Sequence, residues 1–251
     1  MEWPRKFDLF GIQVSATDYE EAARLILAAA AAGESAVVTH LPVAGVVAGY
    51  QNPALRSMIN SFAMVAPDGH PVRWSLNRLH HTGLTDRVYG PELMLRLCKG
   101  AAAAGIGVYL YGSYPQVVER LRDNLLGQSP GLRVVGCESP PFRPLTPEED
   151  QQVVERINAS GAGLIFLGLG CPRQDIFAYE HRHSLRGIQM CVGAAFDFHA
   201  GSKKMAPAWM QKRGLEWLFR FLQEPQRLWR RYFWTNSVFL LLLIKELLHK
   251  R

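Results

Sequence analysis

Short apolar runs alternate with longer segments of helical periodicity along residues 1–201. The clearest apolar run is Leu164–Leu167, since consecutive apolar residues are typical of a parallel strand that is covered on both faces. The intervening segments predict helices, including an alanine-rich helix that ends near Gly33 and a helix over Pro147–Ala159 with Thr146 as its N-cap. Strands that alternate with helices in this way predict an α/β fold with a doubly wound, mostly parallel, Rossmann-like sheet.

Polar residues and glycines are concentrated where the predicted strands end. The strands are expected at Phe10–Val14, Ala36–Thr39, Phe62–Ala66, Gly107–Tyr111, Leu132–Cys137, Leu164–Leu167 and Gln189–Val192. Ligands of doubly wound sheets bind beyond the carboxyl ends of the strands. The residues at or just after such ends are Thr39, Asp68, Gly112, Ser113, Gly170 and Asp197. This shared placement predicts that they form one binding site.

The turn after Leu167 is rich in glycine and leads into a predicted helix. Gly168 and Gly170 permit a tight turn, and Pro172 suits the first helical position. The free N–H groups of that helix would then face an anion such as a diphosphate. Further groups at the same turn are the backbone of Cys171 and the side chains of Gln174 and Asp175. The glycines alone are more typical of an ordinary strand-to-helix connection.

The net charge of +6 is distributed unevenly. Residues 1–201 contain 17 Lys and Arg against 19 Asp and Glu, a balance of −2, whereas residues 202–251 contain 11 against 3, a balance of +8. The four cysteines show no C-x-x-C spacing, which argues against a zinc or thioredoxin-type site. The first residues lack the apolar core of a secretory signal, so we expect a cytoplasmic protein with reduced cysteines.

The basic C-terminal segment, residues 202–251, predicts a helical appendage to an α/β domain over residues 1–201. Its tryptophans and arginines are followed by the apolar run Val238–Ile244, which is too short to cross a membrane because crossing takes roughly 20 residues. Such a pattern suits a helix in the headgroup region of an anionic membrane. It suits equally an amphipathic helix packed on the sheet domain or on another subunit. Nucleic acid is disfavoured, because the arginines are mixed with aliphatic residues.

Several stretches together resemble one known family. They are PDGHPV at 67–72, GLGCPRQD at 168–175, VGAAFDFHAG at 192–201 and APAWMQKRGLEWLFRFLQEPQRLWRRY at 206–232. In this order they are similar to the WecG/TagA/CpsF glycosyltransferases, and the similarity spans nearly the whole chain. The resemblance implies transfer of a sugar, with inversion and without a metal or cofactor, from a UDP-sugar to a polyprenyl-diphosphate-linked acceptor in bacterial surface polysaccharide synthesis.

The resemblance also implies roles for individual residues. Asp68 matches the proposed general base, and Thr39 and Gln174 match other residues of the active site. Arginines of the appendage are implied to bind diphosphates, and the matching positions are Arg220, Arg227, Arg230 and Arg231. The implied location is the cytoplasmic face of the bacterial inner membrane, with the appendage on the membrane surface. A homo-oligomer is also compatible with the family.

The sequence departs from the family pattern in two places. Thr39-His40-Leu41 replaces the common T-x-N, so His40 is the candidate substitute for the asparagine. The donor sugar is therefore left open between N-acetylmannosamine, glucose and a related hexose. Asp175 stands where glutamate is usual, which keeps the charge and shortens the reach.

Alternatives remain for the residues and for the function. From the residues alone, Asp68 could be a turn-forming Asp-Gly pair and Asp197 a structural cap. A soluble acceptor would keep the same nucleotide site. A catalytically inactive nucleotide-binding or scaffold subunit of a polysaccharide assembly complex is the alternative that is not an enzyme.

Overall fold

The computed structural model describes residues 1–249, apart from the side chain of Arg227. The strands are β1 (Lys6–Leu9), β2 (Ile12–Ser15), β3 (Ala36–Leu41), β4 (Met64–Pro67), β5 (Gly107–Gly112), β6 (Arg133–Glu138), β7 (Leu164–Gly168) and β8 (Ile188–Cys191). The helices are α1 (Tyr19–Ala31), α2 (Val43–Gln51), α3 (Pro53–Asn60), α4 (His70–His80), α5 (Gly90–Ala104), α6 (Pro115–Gln128), α7 (Pro147–Ala159), α8 (Arg173–Glu180), α9 (Ala195–His199), α10 (Ala208–Lys212), α11 (Glu216–Gln223) and α12 (Pro225–His249).

Within the described residues the strands form a six-stranded sheet, in the order β4-β3-β8-β7-β5-β6, and a separate two-stranded sheet, β1-β2. Every pairing in the larger sheet is parallel. All its carboxyl ends therefore lie along one edge, which is where ligands bind in folds of this class. The predicted Rossmann-like α/β fold is confirmed.

The larger sheet is buried on both faces. In β7, Leu164 and Phe166 belong to the core formed with α1, α5, α6 and α9, while Ile165 and Leu167 belong to the core on the other face. Alternate side chains of a strand point to opposite faces, so a strand between two helical layers must be apolar throughout. This explains why the unbroken apolar run Leu164–Leu167 predicted the strand correctly.

The predicted first strand, Phe10–Val14, is correct from Ile12 onwards, which begins β2, and wrong for Phe10 and Gly11. Phe10 and Gly11 form the turn of an antiparallel hairpin, with φ of 58° and 87°, and β1 and β2 lie on either side of it. Positive φ at both turn residues matches the twist of the two strands. The Phe10 side chain is buried against Phe239 of α12, with ring centroids 5.3 Å apart. Its apolar character thus reflects packing at a turn.

The C-terminal segment is helical, as predicted, and α12 lies against α2. Phe239 is only 4% exposed, and Leu242, Leu243 and Leu247 pack partly buried against the core. On the same helix Leu240 and Leu241 are exposed. In the described part of the chain no helix is both long and apolar enough to span a membrane.

Candidate active site

Asp68 lies directly after β4, at the carboxyl edge of the sheet. Its backbone N–H donates to the carbonyl of Leu41 at 3.3 Å, and Gly69 takes a φ of 98° before α4 begins. The carboxyl group is half-buried at this turn. Burial raises the pKa of Asp68 to about 6, helped by the negative charge of Glu216 and opposed by Arg87 and Arg220. Asp68 is therefore ionised at neutral pH and still basic enough to accept a proton.

Arg87 and Glu216 form an ion pair beside Asp68 that the sequence analysis did not identify. Their side chains are 9% and 12% exposed. Arg87 comes from the loop between α4 and α5, whereas Glu216 begins α11 in the C-terminal segment. The guanidinium of Arg87 also lies 4.5 Å from the ring centroid of Tyr89, whose backbone N–H donates to the Tyr19 hydroxyl at 3.1 Å. The ion pair thus joins the α/β domain to the C-terminal helices at the candidate site.

Thr39 is buried within β3, which continues to Leu41 and so ends two residues later than predicted. Its Oγ1 donates to Oδ1 of Asp175 at 2.6 Å. Burial raises the pKa of the Asp175 carboxyl group, and the hydrogen bond from Thr39 opposes that rise. Thr39 therefore holds the start of α8 against β3, which is a positioning contact.

The N–H groups that were predicted to face an anion at the first turn of α8 are partly engaged within the turn itself, so an anion site here stays a prediction. The N–H of Gln174 donates to Gly170 and that of Asp175 donates to Pro172, both at 3.0 Å. Pro172 precedes the helix as its N-cap and follows a cis peptide bond, so it is not the first helical residue. The buried Asp175 carboxylate also occupies the helix start, where it would repel an anion.

Gln174 and His40 are buried and each has one polar atom without a hydrogen-bond partner among the described residues. Gln174 Nε2 lies 3.5 Å from Sγ of Cys171, while its Oε1 is unpartnered. His40 Nδ1 contacts the carbonyl of Cys191 at 3.2 Å, and Nε2 is unpartnered. Burial lowers the pKa of His40 to about 4, so its ring is neutral at pH 7. His40 can therefore serve as a neutral hydrogen-bonding group and not as a cation.

Gly112 and Ser113 lie at a distance from Asp68. Three strands separate β4 from β5, which at about 4.8 Å per step places their carboxyl ends roughly 19 Å apart. A side chain at Gly112 would lie 2.6 Å from the backbone of Gly168, so glycine is required there for strand packing. The single predicted site is thus an elongated edge with two neighbourhoods.

The neighbourhood of Ser113 has its own features. Ser113 adopts a φ of 63°, and its carbonyl accepts a hydrogen bond from Ser139 Oγ at 2.6 Å. The next residue, Tyr114, stacks on Phe142 with ring centroids 4.5 Å apart, and both rings are exposed. An exposed aromatic pair therefore borders the β5 end of the edge.

The carboxylate of Asp197 is bonded to residues nearby in sequence. Its carboxylate pairs with Lys203 at 3.0 Å and accepts a hydrogen bond from Ser202 Oγ at 3.3 Å. It lies within α9 and not directly after β8. These contacts favour the structural alternative for Asp197 over a ligand role.

The appendage arginines differ in their surroundings. Arg220 is close enough to Asp68 to lower the pKa of that carboxyl group, and its guanidinium lies 5.8 Å from the ring centroid of Phe198. Arg231 is exposed, and its charge lowers the pKa of the Cys171 thiol against the larger effect of burial. Arg230 is exposed beside the Trp229 ring, whereas the side chain of Arg227 lies outside the described part of the structure. Arg220 and Arg231 are therefore the two that the fold brings towards the site.

No cluster of three or more His, Cys, Asp or Glu side chains that could hold a metal ion occurs among residues 1–249. The candidate site instead combines the carboxyl group of Asp68 with guanidinium groups from two parts of the chain. Such a combination can accept a proton at one point and stabilise negative charge close by.

Comparison with protein-family models gives a match that covers residues 7–251. The matching family is described as the glycosyl transferase WecG/TagA/CpsF family. The match includes the sheet that presents Asp68 and the C-terminal helices that supply Glu216 and Arg220. The chain therefore belongs to the WecG/TagA/CpsF family of glycosyltransferases.

Proposed function

We propose that this protein transfers a sugar, with inversion, from a UDP-sugar to a polyprenyl-diphosphate-linked glycan acceptor. Family membership gives the coarser statement, a glycosyltransferase of cell-surface polysaccharide synthesis. The observation that supports the finer proposal most strongly is the carboxyl group of Asp68, which has a raised pKa and lies near Arg87 and Arg220. An acceptor hydroxyl needs such a base, and a departing diphosphate needs such cations.

The proposed reaction uses Asp68 as the general base. Its carboxylate takes the proton of the acceptor hydroxyl while that oxygen forms a bond to the anomeric carbon of the donor sugar. The bond between that carbon and the diphosphate oxygen breaks, and its electron pair stays on UDP. General base catalysis of this kind contributes typically about 10²–10⁴-fold.

The departing diphosphate gains negative charge as the bond breaks. Arg220 is the best-placed guanidinium to stabilise it, because its charge already acts on Asp68. Arg87 is less free to do so, since it is paired with Glu216. Guanidinium groups can bind a diphosphate through paired hydrogen bonds, so the proposed transfer proceeds with cations that the chain itself supplies.

The proposal sets the donor along the carboxyl edge of the sheet. The sugar lies at the β4 end beside Asp68, and the nucleotide extends towards Gly112 and Ser113. The exposed rings of Tyr114 and Phe142 support this orientation, because aromatic side chains offer stacking surfaces for a nucleobase. No cofactor is required in this scheme, since the UDP-sugar is itself the activated substrate.

The donor sugar is open between N-acetylmannosamine, glucose and a related hexose. Leu41, where the family commonly has asparagine, is buried in the apolar core and offers no polar side chain to a sugar. His40 supplies a neutral ring in the same segment. Leu41 and His40 therefore favour a donor pocket that differs from the common family pattern.

We further propose that the protein acts peripherally at the cytoplasmic face of the bacterial inner membrane. The support comes from exposed apolar side chains on the C-terminal helices, namely Trp209, Trp217, Leu222, Trp229, Phe233, Trp234, Leu240, Leu241, Ile244 and Leu248. Together with the +8 balance of residues 202–251, they suit an anionic membrane surface. Homo-oligomers and a soluble acceptor are alternatives that the same surface permits.

A donor and acceptor panel tests the proposed activity. Purified protein is mixed with UDP-N-acetylmannosamine, UDP-glucose and related UDP-hexoses, each with polyprenyl-diphosphate-linked and soluble sugar acceptors, and UDP release is measured. Release that requires a lipid-linked acceptor supports the proposal. Equal release with soluble acceptors contradicts the acceptor class. UDP binding without release from any pair favours the inactive nucleotide-binding subunit.

A further inference from the structure

A cavity of about 380 Å³ lies between α4, α10 and the loop that follows α4. Its lining includes Arg73, Trp74, Thr85, Asp86, Lys212 and Arg213. His70 also lines it and fixes its wall, because Nε2 of His70 contacts the carbonyl of Gln211 at 3.1 Å. The cavity is therefore formed jointly by the α/β domain and the C-terminal helices.

The lining of this cavity is cationic. Three side chains are positive and only Asp86 is negative. The Asp86 carboxylate accepts the backbone N–H of Arg87 at 2.8 Å, so it is partly occupied. In the range that the structure describes, no ion pair involves Arg73, Lys212 or Arg213. Unpaired cations that converge on a cavity favour an anionic ligand.

The guanidinium of Arg73 is anchored at the cavity wall. It donates a hydrogen bond to the carbonyl of Thr85, and its Nε is buried without a partner among the described residues. Lys212 and Arg213 are exposed at the opposite side, on and just after α10. The cavity thus combines one ordered guanidinium with two cations that can close on a ligand.

Two exposed indoles flank the cations. Trp74 is 53% exposed beside Arg73, and Trp209 is 56% exposed with the guanidinium of Arg213 at 5.9 Å from its ring centroid. Tryptophan is enriched where apolar and aqueous regions of a membrane meet. Anionic ligands at that depth are the phosphate groups of lipids.

We propose that this cavity binds the phosphate group of a lipid. The source is either an anionic phospholipid headgroup or the diphosphate of a polyprenyl-linked molecule. Binding of a headgroup is independent of the proposed activity, whereas binding of the polyprenyl diphosphate rests on the proposed function. Asp86 of the cavity is adjacent in sequence to Arg87 of the candidate site, so a lipid phosphate held here would lie beside the site.

Two variants test the cavity from different directions. Lys212→Ala/Arg213→Ala removes two of its cations, and Thr85→Tyr fills it without changing the charge. The matched control is Arg24→Ala/Lys99→Ala, which removes the same charges from exposed positions on α1 and α5. Circular dichroism and thermal unfolding establish that each variant is folded.

Binding is measured without any sugar donor, so its outcome does not depend on the transferase activity. The probes are phosphatidylglycerol vesicles, phosphatidylcholine vesicles and farnesyl diphosphate. We expect the double variant to weaken binding of an anionic probe roughly 30-fold, since each cation contributes about fivefold, and the control to change it little. Thr85→Tyr should weaken the same probe.

The pattern of losses identifies the ligand. Loss with phosphatidylglycerol vesicles assigns the cavity to a headgroup, and loss confined to farnesyl diphosphate assigns it to an isoprenoid diphosphate. Normal binding by Thr85→Tyr, with loss only in the double variant, would show diffuse surface charge and overturn the proposal. Unchanged binding of both anionic probes by both folded variants would also overturn it.

Discussion

At the scale of single residues, the candidate site depends on how the groups around Asp68 set the pKa of its carboxyl group. Burial and Glu216 raise the pKa of Asp68 to about 6, while Arg87 and Arg220 oppose that rise. The raised value makes the carboxylate a stronger base than an exposed aspartate without leaving it protonated at neutral pH. Proton transfer and charge stabilisation can therefore occur at one place.

The first prediction concerns the pH dependence of transfer. The base must be ionised, so kcat/KM should rise with pH through about 6 and level off above it. Arg87→Met removes a charge that lowers the pKa of Asp68 and should move this acidic limb to higher pH. Glu216→Gln removes a charge that raises the same pKa and should move the limb to lower pH.

The measurement is kcat/KM for UDP release from about pH 5 to pH 8 in the wild type and both variants. Lys99→Ala, an exposed change on α5, is the control and should leave the limb in place. Shifts of both site variants in the same direction would rule out Asp68 as the group that titrates.

The second prediction concerns Thr39. Thr39→Val removes the donor to the buried Asp175 carboxylate and should lower the free energy of unfolding by about 1–3 kcal/mol. Thr39→Ser retains the hydroxyl and should recover most of that loss. Denaturant unfolding at neutral pH measures both. Equal stability of the Val variant and the wild type would mean that the hydrogen bond contributes nothing to the position of α8.

Sequence reasoning located Asp68 but not Arg87, for a physical reason. Asp68 follows an apolar run whose end places it at the edge of the sheet, so local pattern suffices. Arg87 lies in a polar loop, and its buried ion-pair partner, Glu216, is far away in sequence. An interaction of that kind leaves no periodic signal in either segment.

At the scale of elements, α12 has two different faces. Phe239 is buried against the α/β domain, whereas Leu240 and Leu241 are exposed one and two positions later. The sequence left open whether the apolar run packs on the protein or lies on a membrane. In the structure one face packs on the protein and the other is available to a membrane. Composition alone cannot separate the faces, since the run is apolar all round.

The third prediction compares these faces. Phe239→Ala should lower the free energy of unfolding by about 3–5 kcal/mol, because it opens a cavity between α12 and its neighbours. Leu240→Gln/Leu241→Gln should leave stability within about 0.5 kcal/mol per residue and weaken binding to anionic vesicles roughly tenfold or more. Thermal unfolding and vesicle sedimentation measure the two effects. Unchanged vesicle binding by the Gln variant would remove this face from membrane association.

The N-terminal hairpin shows where local pattern misleads. The apolar pattern predicts that Phe10 begins a strand, but Phe10 occupies a turn, where its side chain is covered by Phe239 of α12. By contrast, the helix Pro147–Ala159 was predicted with its observed bounds, since its capping box is local. The helix could be predicted because its capping contacts are local. The turn at Phe10 could not, because the residue that covers it is distant in sequence.

At the scale of the whole molecule, the C-terminal helices contribute charged groups to the candidate site. Glu216 and Arg220 of α11 act on Asp68, which belongs to the α/β domain. The Arg87–Glu216 ion pair is buried where the two parts meet, so removing one partner would leave an uncompensated charge and cost about 3–5 kcal/mol. The proposed membrane attachment and the candidate site around Asp68 therefore involve the same helices.

The most direct test of the proposed chemistry compares wild-type protein with Asp68→Asn. UDP binding and UDP release are measured side by side, with the donor and lipid-linked acceptor that give the highest wild-type rate. We expect the variant to keep its affinity for UDP and to lose about 10²–10⁴-fold in turnover, since only the proton acceptor is removed. Turnover within a few-fold of wild type would contradict the assignment of Asp68 as the base.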